Sequence, residues 1–337
     1  MHFIGLDAHS ASFTVAVVNE KGKLCWNLSR PTSEKYLIEV VSKVEGPRQL
    51  VVEESHMAQW VKMTLEPYVD RLIVCDPRHN RWISGEDFSD DRTSAIKLAQ
   101  MLRGGFIKEV YHPDDTGAQL RSLFLHYYDL NHQIARFKCK LKATFRQVGI
   151  VTAGPAIYDG QNRKEFLERL DGYPHILLEA KQHFVTIDML ERQKEETFKA
   201  IHKRVKKLRA FQLLKEIPGA GPVISAGYVA MIVTPERFSR KNKLWRYACL
   251  GNARHESDKV VYKDRPSASG NRVLKWVVVQ HFQGAVERSK KLNRFKRCHQ
   301  ELIARGLSWK AARRHVCRHI LSVVRAVWMQ EEPYRDK

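Results

Sequence analysis

The stretch Ile4-Gly5-Leu6-Asp7-Ala8-His9-Ser10 decides the fold of the first part of the chain. Its apolar residues predict a short buried strand, which ends at the carboxylate of Asp7. A buried carboxylate is unfavourable unless it has a partner, so Asp7 needs a metal ion or hydrogen-bond donors. Asp7 is therefore the first candidate metal ligand. The alternative is that its side chain only caps a turn after the strand.

The residues after this stretch predict a sheet covered by helices. Alternating or continuous apolar residues mark the strands, and apolar residues at helical spacing mark the helices. Predicted strands lie at 12–19, 24–28, 50–52 and 71–75, and predicted helices lie at 36–44, 57–65 and 95–102. Three strands with hairpin character, followed by alternating helices and strands, indicate an α/β domain of the RNase H-like type.

Carboxylates recur where these predicted strands end and where one helix begins. Glu53 and Glu54 follow the strand at 50–52. Asp91 lies just before residues 95–102, where the predicted helix begins. In open α/β sheets, ligand-binding groups converge at such strand ends. Mg²⁺ prefers carboxylate oxygens and can act on a phosphodiester as a Lewis acid. Alternation turns only one of the two glutamates inward, so the choice between Glu53 and Glu54 as the ligand stays open, with Glu53 preferred. All these acids could instead be surface turn residues.

The charge of the chain indicates a polyanionic partner. Lys and Arg number 58 against 37 Asp and Glu, which gives a net charge of +21. Such an excess favours nucleic acid, and a basic peripheral membrane protein is the alternative. No stretch reaches the roughly 18 apolar residues of a membrane span, and no signal peptide opens the chain. We therefore expect no membrane partner and a cytoplasmic protein. The six cysteines form no Cys-x-x-Cys pair, so neither a zinc site nor a disulfide framework is expected.

The middle of the chain, residues 113–211, is predicted to be helical and basic. Apolar residues at helical spacing indicate helices that pair as a linker or coiled coil. Near its end, Lys203, Arg204 and Lys207 crowd the polar positions and are candidate contacts to phosphate. The alternative is a charged face that is only solvated.

The last part, residues 212–337, is predicted to be mainly α-helical. Ile217-Pro218-Gly219-Ala220-Gly221-Pro222 is typical of a helix-hairpin-helix, in which Gly219 and Gly221 permit a tight turn and backbone amides hold a phosphate. A basic loop with Arg254 and Lys259 follows, and an apolar helix begins after Arg272. Trp309 and Trp328 are expected in the core.

The order and spacing of these motifs resemble the DEDD-type insertion-sequence transposases, the Piv/MooV recombinase group. The motifs are Ile4-Gly5-Leu6-Asp7, Val52-Glu53-Glu54, Asp91-Arg92-Thr93-Ser94-Ala95, Ile217-Pro218-Gly219-Ala220-Gly221-Pro222, His255-Glu256-Ser257 and Ser269-Gly270-Asn271-Arg272. The resemblance implies a RuvC-like domain at 1–112, an oligomerising helical linker at 113–211, and a transposase domain with a catalytic serine at 212–337. It also implies a homo-oligomer, a dimer or tetramer, that a structured bridge RNA directs to DNA.

The resemblance assigns roles to four residues. Asp7, Glu53 and Asp91 would hold Mg²⁺ (or Mn²⁺), and Ser257 would form a covalent phosphoserine intermediate as DNA is cut and rejoined.

Two positions depart from the family pattern. Ser94 stands where the family has a second Asp, and a hydroxyl is a weaker Mg²⁺ ligand than a carboxylate, so Asp90 or Asp87 is an alternative ligand. Asp258 follows the serine where the family usually has Gly. A catalytically weakened nucleic-acid-binding homologue, and a RuvC-like metal-dependent nuclease or DNA invertase, are therefore the alternative functions.

Overall fold

The computed structural model describes residues 1–76, 90–257, 260–266 and 269–336 of the chain. These residues divide into two compact units, Met1–Ala118 and Gln119–Lys337. The first unit contains a five-stranded sheet, and the second is mainly helical. The predicted change from an α/β fold to a helical fold is confirmed.

The first unit is organised around its opening strand. The strands are β1 (His2–Ala8), β2 (Ser12–Asn19), β3 (Leu24–Pro31), β4 (Arg48–Glu53) and β5 (Arg71–Cys75). Their order is β3-β2-β1-β4-β5, with β1 antiparallel to β2 and parallel to β4. The strand that begins the chain therefore lies in the middle of a mixed sheet, as in an RNase H-like fold.

Helices cover both faces of this sheet. They are α1 (Glu34–Ser42), α2 (Ala58–Leu65) and α3 (Asp91–Gly104). Ile4 and Leu6 of β1 are buried with the apolar residues of α1 and α2. On the other face, Val51 and Ile73 pack against Leu98 of α3. Alternate residues along each strand thus enter different layers, which is why the strands look almost continuously apolar in the sequence.

Helix α3 lies unusually close to β1 at Gly5. A Cβ atom on Gly5 would lie 2.0 Å from the carbonyl oxygen of Ala95 and 2.6 Å from the amide nitrogen of Ala99. Ala95 and Ala99 are themselves fully buried and small. This position therefore has space only for glycine, and the close approach fixes where α3 begins relative to the end of β1.

The second unit starts with a long helical hairpin. Its helices are α4 (Asp115–Arg146), α5 (Arg163–Glu168) and α6 (Pro174–Val205). Leu130 and Ile134 of α4 pack against Leu190 of α6, and farther along Phe145 packs with Ile176. These pairs show that α4 and α6 run antiparallel.

The rest of the second unit is a helical core with one β-hairpin. The helices are α7 (Arg209–Lys215), α8 (Pro222–Ile232), α9 (Lys241–Tyr247), α10 (Arg272–Phe282), α11 (Arg294–Ala304) and α12 (Trp309–Gln330), and a π-helical segment spans Gln283–Glu287. Strands β6 (Asn252–Ser257) and β7 (Val260–Pro266) pair antiparallel. The sequence predicted a basic loop here, because charged residues interrupt the apolar alternation that would mark a strand.

Two expectations about single residue types have different outcomes. All six cysteines are free thiols, as predicted. The expectation that Trp309 is a core residue is wrong, because its side chain is 45% exposed. Trp309 begins α12, and its partly exposed ring lies edge-on to the buried Phe282 and next to the guanidinium of Arg313. Trp328 does pack against the helical core.

A buried histidine joins three parts of this core. The His281 Nε2 atom donates to the carbonyl oxygen of Pro218 at 2.9 Å, so Nδ1 is the acceptor for the Tyr228 hydroxyl, also at 2.9 Å. Complete burial lowers the pKa of His281 to about 4. The neutral imidazole thus ties the turn before α8 to α8 itself and to α10.

We predict that Gly5→Ala lowers the free energy of unfolding by about 1–3 kcal/mol, because the added methyl group forces α3 away from β1. Urea-induced unfolding measures this change. Gly160→Ala is the matched control, since a Cβ atom at Gly160 would meet nothing within 4 Å. Equal stability of the two variants would contradict the close packing at Gly5.

We predict that His281 makes the protein acid-sensitive. Its pKa falls from 6.5 in the unfolded chain to about 4 in the fold. Between these values the unfolded state binds the extra proton, so stability decreases as pH falls, by about 3 kcal/mol over the whole window. His281→Gln keeps a donor and an acceptor but does not titrate. Its unfolding free energy should therefore depend on pH less steeply than that of the wild type.

The exposed His126 provides the control for this pH series. His126→Gln should retain the wild-type pH dependence of the unfolding free energy. An unchanged slope in His281→Gln would show that other groups cause the acid sensitivity.

Candidate metal centre and nucleophile

Three side chains that could hold a metal ion meet at the end of β1. Asp7 lies in the strand, His9 follows it, and Asp91 is the first residue of α3. The Nε2 atom of His9 lies 3.1 Å from Oδ1 of Asp7 and 3.6 Å from Oδ1 of Asp91. Among the described residues these three form a group whose ligand atoms all lie within 4.8 Å of one another.

The backbone explains why these side chains converge. Gly5 and Asp7 are two residues apart in β1 and so share a face of the sheet, the face covered by α3. Asp90 caps α3, because its Oδ1 atom accepts from the Thr93 backbone N–H at 2.6 Å. The cap fixes the first turn of the helix, and the contact at Gly5 brings that turn to the end of β1. Asp91 therefore reaches the neighbourhood of Asp7.

The electrostatics of this group favour a bound cation. The Asp7 side chain is only 16% exposed. Burial raises the pKa of Asp7, the adjacent His9 opposes that rise, and the negative charge of Asp91 adds to it. A divalent cation between the two carboxylates would remove their repulsion and compensate for the lost hydration of Asp7.

The donor set fits a divalent metal ion. Two carboxylates suit Mg²⁺ and Mn²⁺, and an imidazole ligand suits Mn²⁺ better than Mg²⁺. The sequence interpretation did not select His9. His9 could have been identified from its position two residues after Asp7, because that spacing places both side chains on one side of an extended chain.

The two glutamates at the end of β4 lie on different sides of the sheet. Leu6 pairs with Val52, so Glu53, the last residue of β4, follows Val52 as Asp7 follows Leu6 in β1, and alternation places Glu53 on the α3 face. Glu54 instead lies on the opposite side, where its Oε2 atom is 2.5 Å from Nε2 of His112. The other ring nitrogen of His112 lies 2.8 Å from the Gln59 side chain on α2. Glu53 is therefore the glutamate on the same side as Asp7.

The alternative fourth ligands have distinct positions. Ser94 lies on α3 one turn after Asp91, so both residues belong to the same side of that helix. Asp90 uses its carboxylate to cap the helix, and the hydrogen bond from Thr93 lowers its pKa. Asp87 lies outside the described residues.

The predicted nucleophile belongs to the second unit. Ser257 is the last residue of β6, and its backbone pairs with Val260 at the start of β7. It therefore borders the connection of a β-hairpin, and Arg254 lies three residues earlier in the same strand. Asp258 and Lys259 lie outside the described residues.

The motif Ser269-Gly270-Asn271-Arg272 forms a joint between helices. Gly270 has φ of 140°, and a Cβ atom there would lie 2.6 Å from the Tyr247 carbonyl oxygen. The Asn271 side chain accepts from the Leu274 backbone N–H at 2.8 Å and donates to the Tyr247 hydroxyl at 3.0 Å. The motif therefore fastens the start of α10 to the end of α9 and leaves Arg272 exposed.

The predicted helix-hairpin-helix glycines have two different environments. Gly219 has φ of 86°, and a Cβ atom there would lie 2.4 Å from the Ala285 amide nitrogen, so this glycine is needed for packing. Gly221 is exposed at the start of α8. Lys203, Arg204 and Lys207, near the end of α6, are also exposed. Among the described helices, none is both long and apolar enough to cross a membrane.

Comparison with known families identifies both parts of the chain. A DEDD transposase model of the IS110 type, described as a transposase, matches residues 4–150. A second model, described as the transposase IS116/IS110/IS902 family, matches residues 211–300. No curated protein matches the chain.

The two matches lie one after the other along the chain. The first contains the acidic cluster, and the second contains Ser257. Transposases of this kind cut and rejoin DNA, so DNA is the partner, and the DEDD type suggests a divalent metal cation. The chain belongs to the DEDD-type transposases of the IS110 family.

Proposed function

We propose that the protein is an insertion-sequence recombinase that a structured bridge RNA directs to DNA. In this proposal, Ser257 forms a covalent phosphoserine intermediate, and Asp7, Glu53 and Asp91 hold Mg²⁺ or Mn²⁺, with His9 as a further ligand. The convergence of Asp7, His9 and Asp91 in a chain of this family is the observation that carries the proposal. Their proximity supports a cation site in the first unit rather than separate surface acids.

The metal ion would supply positive charge to phosphate oxygens. The residues of the chain hold it and define its surroundings. Asp7 provides a largely buried carboxylate, while Asp91 is 57% exposed and leaves one side of the site open to solvent. Ser94 in place of a carboxylate lowers the negative charge of the site, so we expect weaker metal affinity than in a protein with four acids.

The proposed covalent step conserves the number of phosphodiester-type bonds. The Ser257 oxygen attacks a phosphorus atom of DNA, its proton passes to a base, and a hydroxyl group of the cut strand leaves. Rejoining reverses these changes with a new strand, so no external energy source is required. A serine hydroxyl is a weak nucleophile at neutral pH and needs a base or a cation, for which His255, Arg254 and Lys259 are adjacent in sequence.

Charge and exposed apolar residues support the proposed partners. The net charge of +21 exceeds the requirement of a small DNA contact and suits RNA as a second polyanion. Leu178, Val185 and Met189 of α6 are 58%, 69% and 43% exposed, which supports a dimer or tetramer formed through the helical hairpin. We place the protein in the cytoplasm, on the nucleoid.

Ser94 also favours a second candidate, a catalytically weakened nucleic-acid-binding homologue. A third is a RuvC-like nuclease or DNA invertase that uses the acidic cluster without Ser257. A denaturing gel separates the three after incubation with RNA, DNA and metal. Protein-linked DNA supports the recombinase, free nicked ends support the nuclease, and intact DNA supports the binding protein.

We predict opposite effects of Asp7→Asn without and with metal. Because the fold raises the pKa of Asp7, the ionised carboxylate destabilises the native state above that pKa. Without metal, Asp7→Asn should therefore be more stable than the wild type at pH 7, and the difference should disappear near pH 4. With Mn²⁺ at a hundred times its Kd, the wild type should gain about 2.7 kcal/mol and the variant little.

Thermal unfolding with and without Mn²⁺ measures both effects of Asp7→Asn. Asp129→Asn, an exposed change on α4, is the control and should keep the wild-type response to Mn²⁺. Full stabilisation of Asp7→Asn by Mn²⁺ would exclude Asp7 as a ligand.

We predict that Ser257→Ala eliminates the covalent protein–DNA adduct and strand exchange. Affinity for RNA and DNA should stay within about two-fold of the wild type, because one hydroxyl contributes little to an interface of many phosphate contacts. Denaturing gels and binding titrations measure the two properties. Ser269→Ala is the control and should retain the adduct. If Ser257→Ala forms the adduct and Ser269→Ala does not, the nucleophile is misassigned.

A further inference from the structure

The second unit contains a basic cleft that no sequence motif marked. Its volume is about 580 Å³, and α9, α11 and α12 contribute its walls. The cleft is lined by Lys241, Trp245, Arg294, His315, Arg318 and His319, together with small and apolar residues of α12. Among its lining residues there is no carboxylate, although the chain has 37 acidic residues in all.

The cationic groups of this cleft act on one another. Burial lowers the pKa of His319, and the positive charges of Arg294 and Lys241 lower it further. The carboxylate of Asp336 accepts from the Arg294 backbone N–H at 3.1 Å and lies 3.6 Å from the side chain of Arg297. It thus lies by α11, beside the cleft rather than among its lining residues. The potential within the cleft is positive and attracts an anionic ligand.

Two side chains of the cleft are held in place. The Nε atom of Arg318 donates to the Leu250 carbonyl oxygen at 2.7 Å, and its Nη2 atom donates to Oδ1 of Asn252 at 2.8 Å. The indole N–H of Trp245 donates to the Ser322 hydroxyl at 3.2 Å. The guanidinium of Arg318 lies 5.6 Å from the Trp245 ring centroid. An aromatic surface and a cation are therefore fixed side by side before any ligand binds.

We propose that this cleft binds an unpaired nucleotide of a single-stranded nucleic acid. Phosphate is held by Lys241 and Arg294, and the base packs on Trp245 beside Arg318. Cations with an adjacent aromatic ring are the combination that binds single strands. The cleft volume of about 580 Å³ lies within the roughly 300–1,000 Å³ range of small-ligand sites, so the cleft has room for one nucleotide. A duplex presents a wide, convex backbone that does not fit into such a cleft.

The cleft also has a defined relation to the β-hairpin. Asn252, which Arg318 holds, is the first residue of β6, and Ser257 is the last. Six residues of strand extend about 17–20 Å. A single-stranded nucleic acid bound in the cleft therefore lies at a fixed distance from the end of β6 at Ser257. This binding function goes beyond the proposed recombinase chemistry and depends on neither the metal ion nor the Ser257 hydroxyl.

The test compares two double variants of the full chain that lose the same charge. Lys241→Gln with Arg294→Gln removes two cations of the cleft, and Lys290→Gln with Lys310→Gln removes two exposed cations outside its lining. Fluorescence anisotropy measures binding of a labelled 12-nucleotide oligothymidylate at several salt concentrations. The cleft variant should bind at least ten-fold more weakly, with a salt slope reduced by about 1.4, and the control should stay within two-fold. Equal losses in both variants would overturn the proposal.

A second comparison tests the aromatic contact. Trp245→Leu should weaken binding of the oligothymidylate about ten-fold and leave binding of an abasic oligonucleotide of equal length unchanged, while Trp245→Phe should recover most of the affinity. Duplex DNA bound as tightly as the single strand, with no effect of Trp245→Leu, would overturn the proposal. Stabilisation by Mn²⁺ should be unaltered in all cleft variants, so a failure here is distinguishable from a failure of the metal proposal.

Discussion

The close contact between Gly5 of β1 and the backbone of α3 determines the arrangement of the first unit. A side chain at Gly5 would overlap the carbonyl of Ala95, so the helix can lie on the strand only because that side chain is absent. The contact sets the distance between the end of β1 and the first turn of α3. That distance brings Asp91 to Asp7 and His9. A packing requirement in the middle of a sheet thereby determines the geometry of a charged group at its edge.

The charged group and the core around it have opposite effects on the stability of the fold. Ile4 and Leu6 are fully buried and favour the fold, whereas burial raises the pKa of Asp7 and makes its ionised form unfavourable. A cation bound between Asp7 and Asp91 would offset this cost. In the basic cleft of the second unit the unfavourable form is the cation, because burial lowers the pKa of His319 and the charges of Arg294 and Lys241 lower it further.

Much of this molecule was predictable from local sequence patterns. The strands β1 to β5, the glycine at the end of α3 and the helical character after residue 113 follow from periodicity and from residues with special backbone preferences. The hairpin of β6 and β7 was not predicted, since charged residues occupy its strands. His9 and the basic cleft were missed for another reason. Their residues form a site only when separate helices and strands pack together. Lys241, Arg294 and Arg318, for example, are distant in sequence but line one cleft.

The most direct test of the link between packing and the proposed metal site is a titration of the full chain with Mn²⁺. Electron paramagnetic resonance follows the binding in the wild type and in Gly5→Ala. One Mn²⁺ should bind the wild type with a nitrogen coupling from His9. In Gly5→Ala the affinity should fall at least ten-fold and the coupling should be lost, although every proposed ligand is still present. An unchanged affinity and coupling in Gly5→Ala would contradict the claim that the β1–α3 contact creates the site.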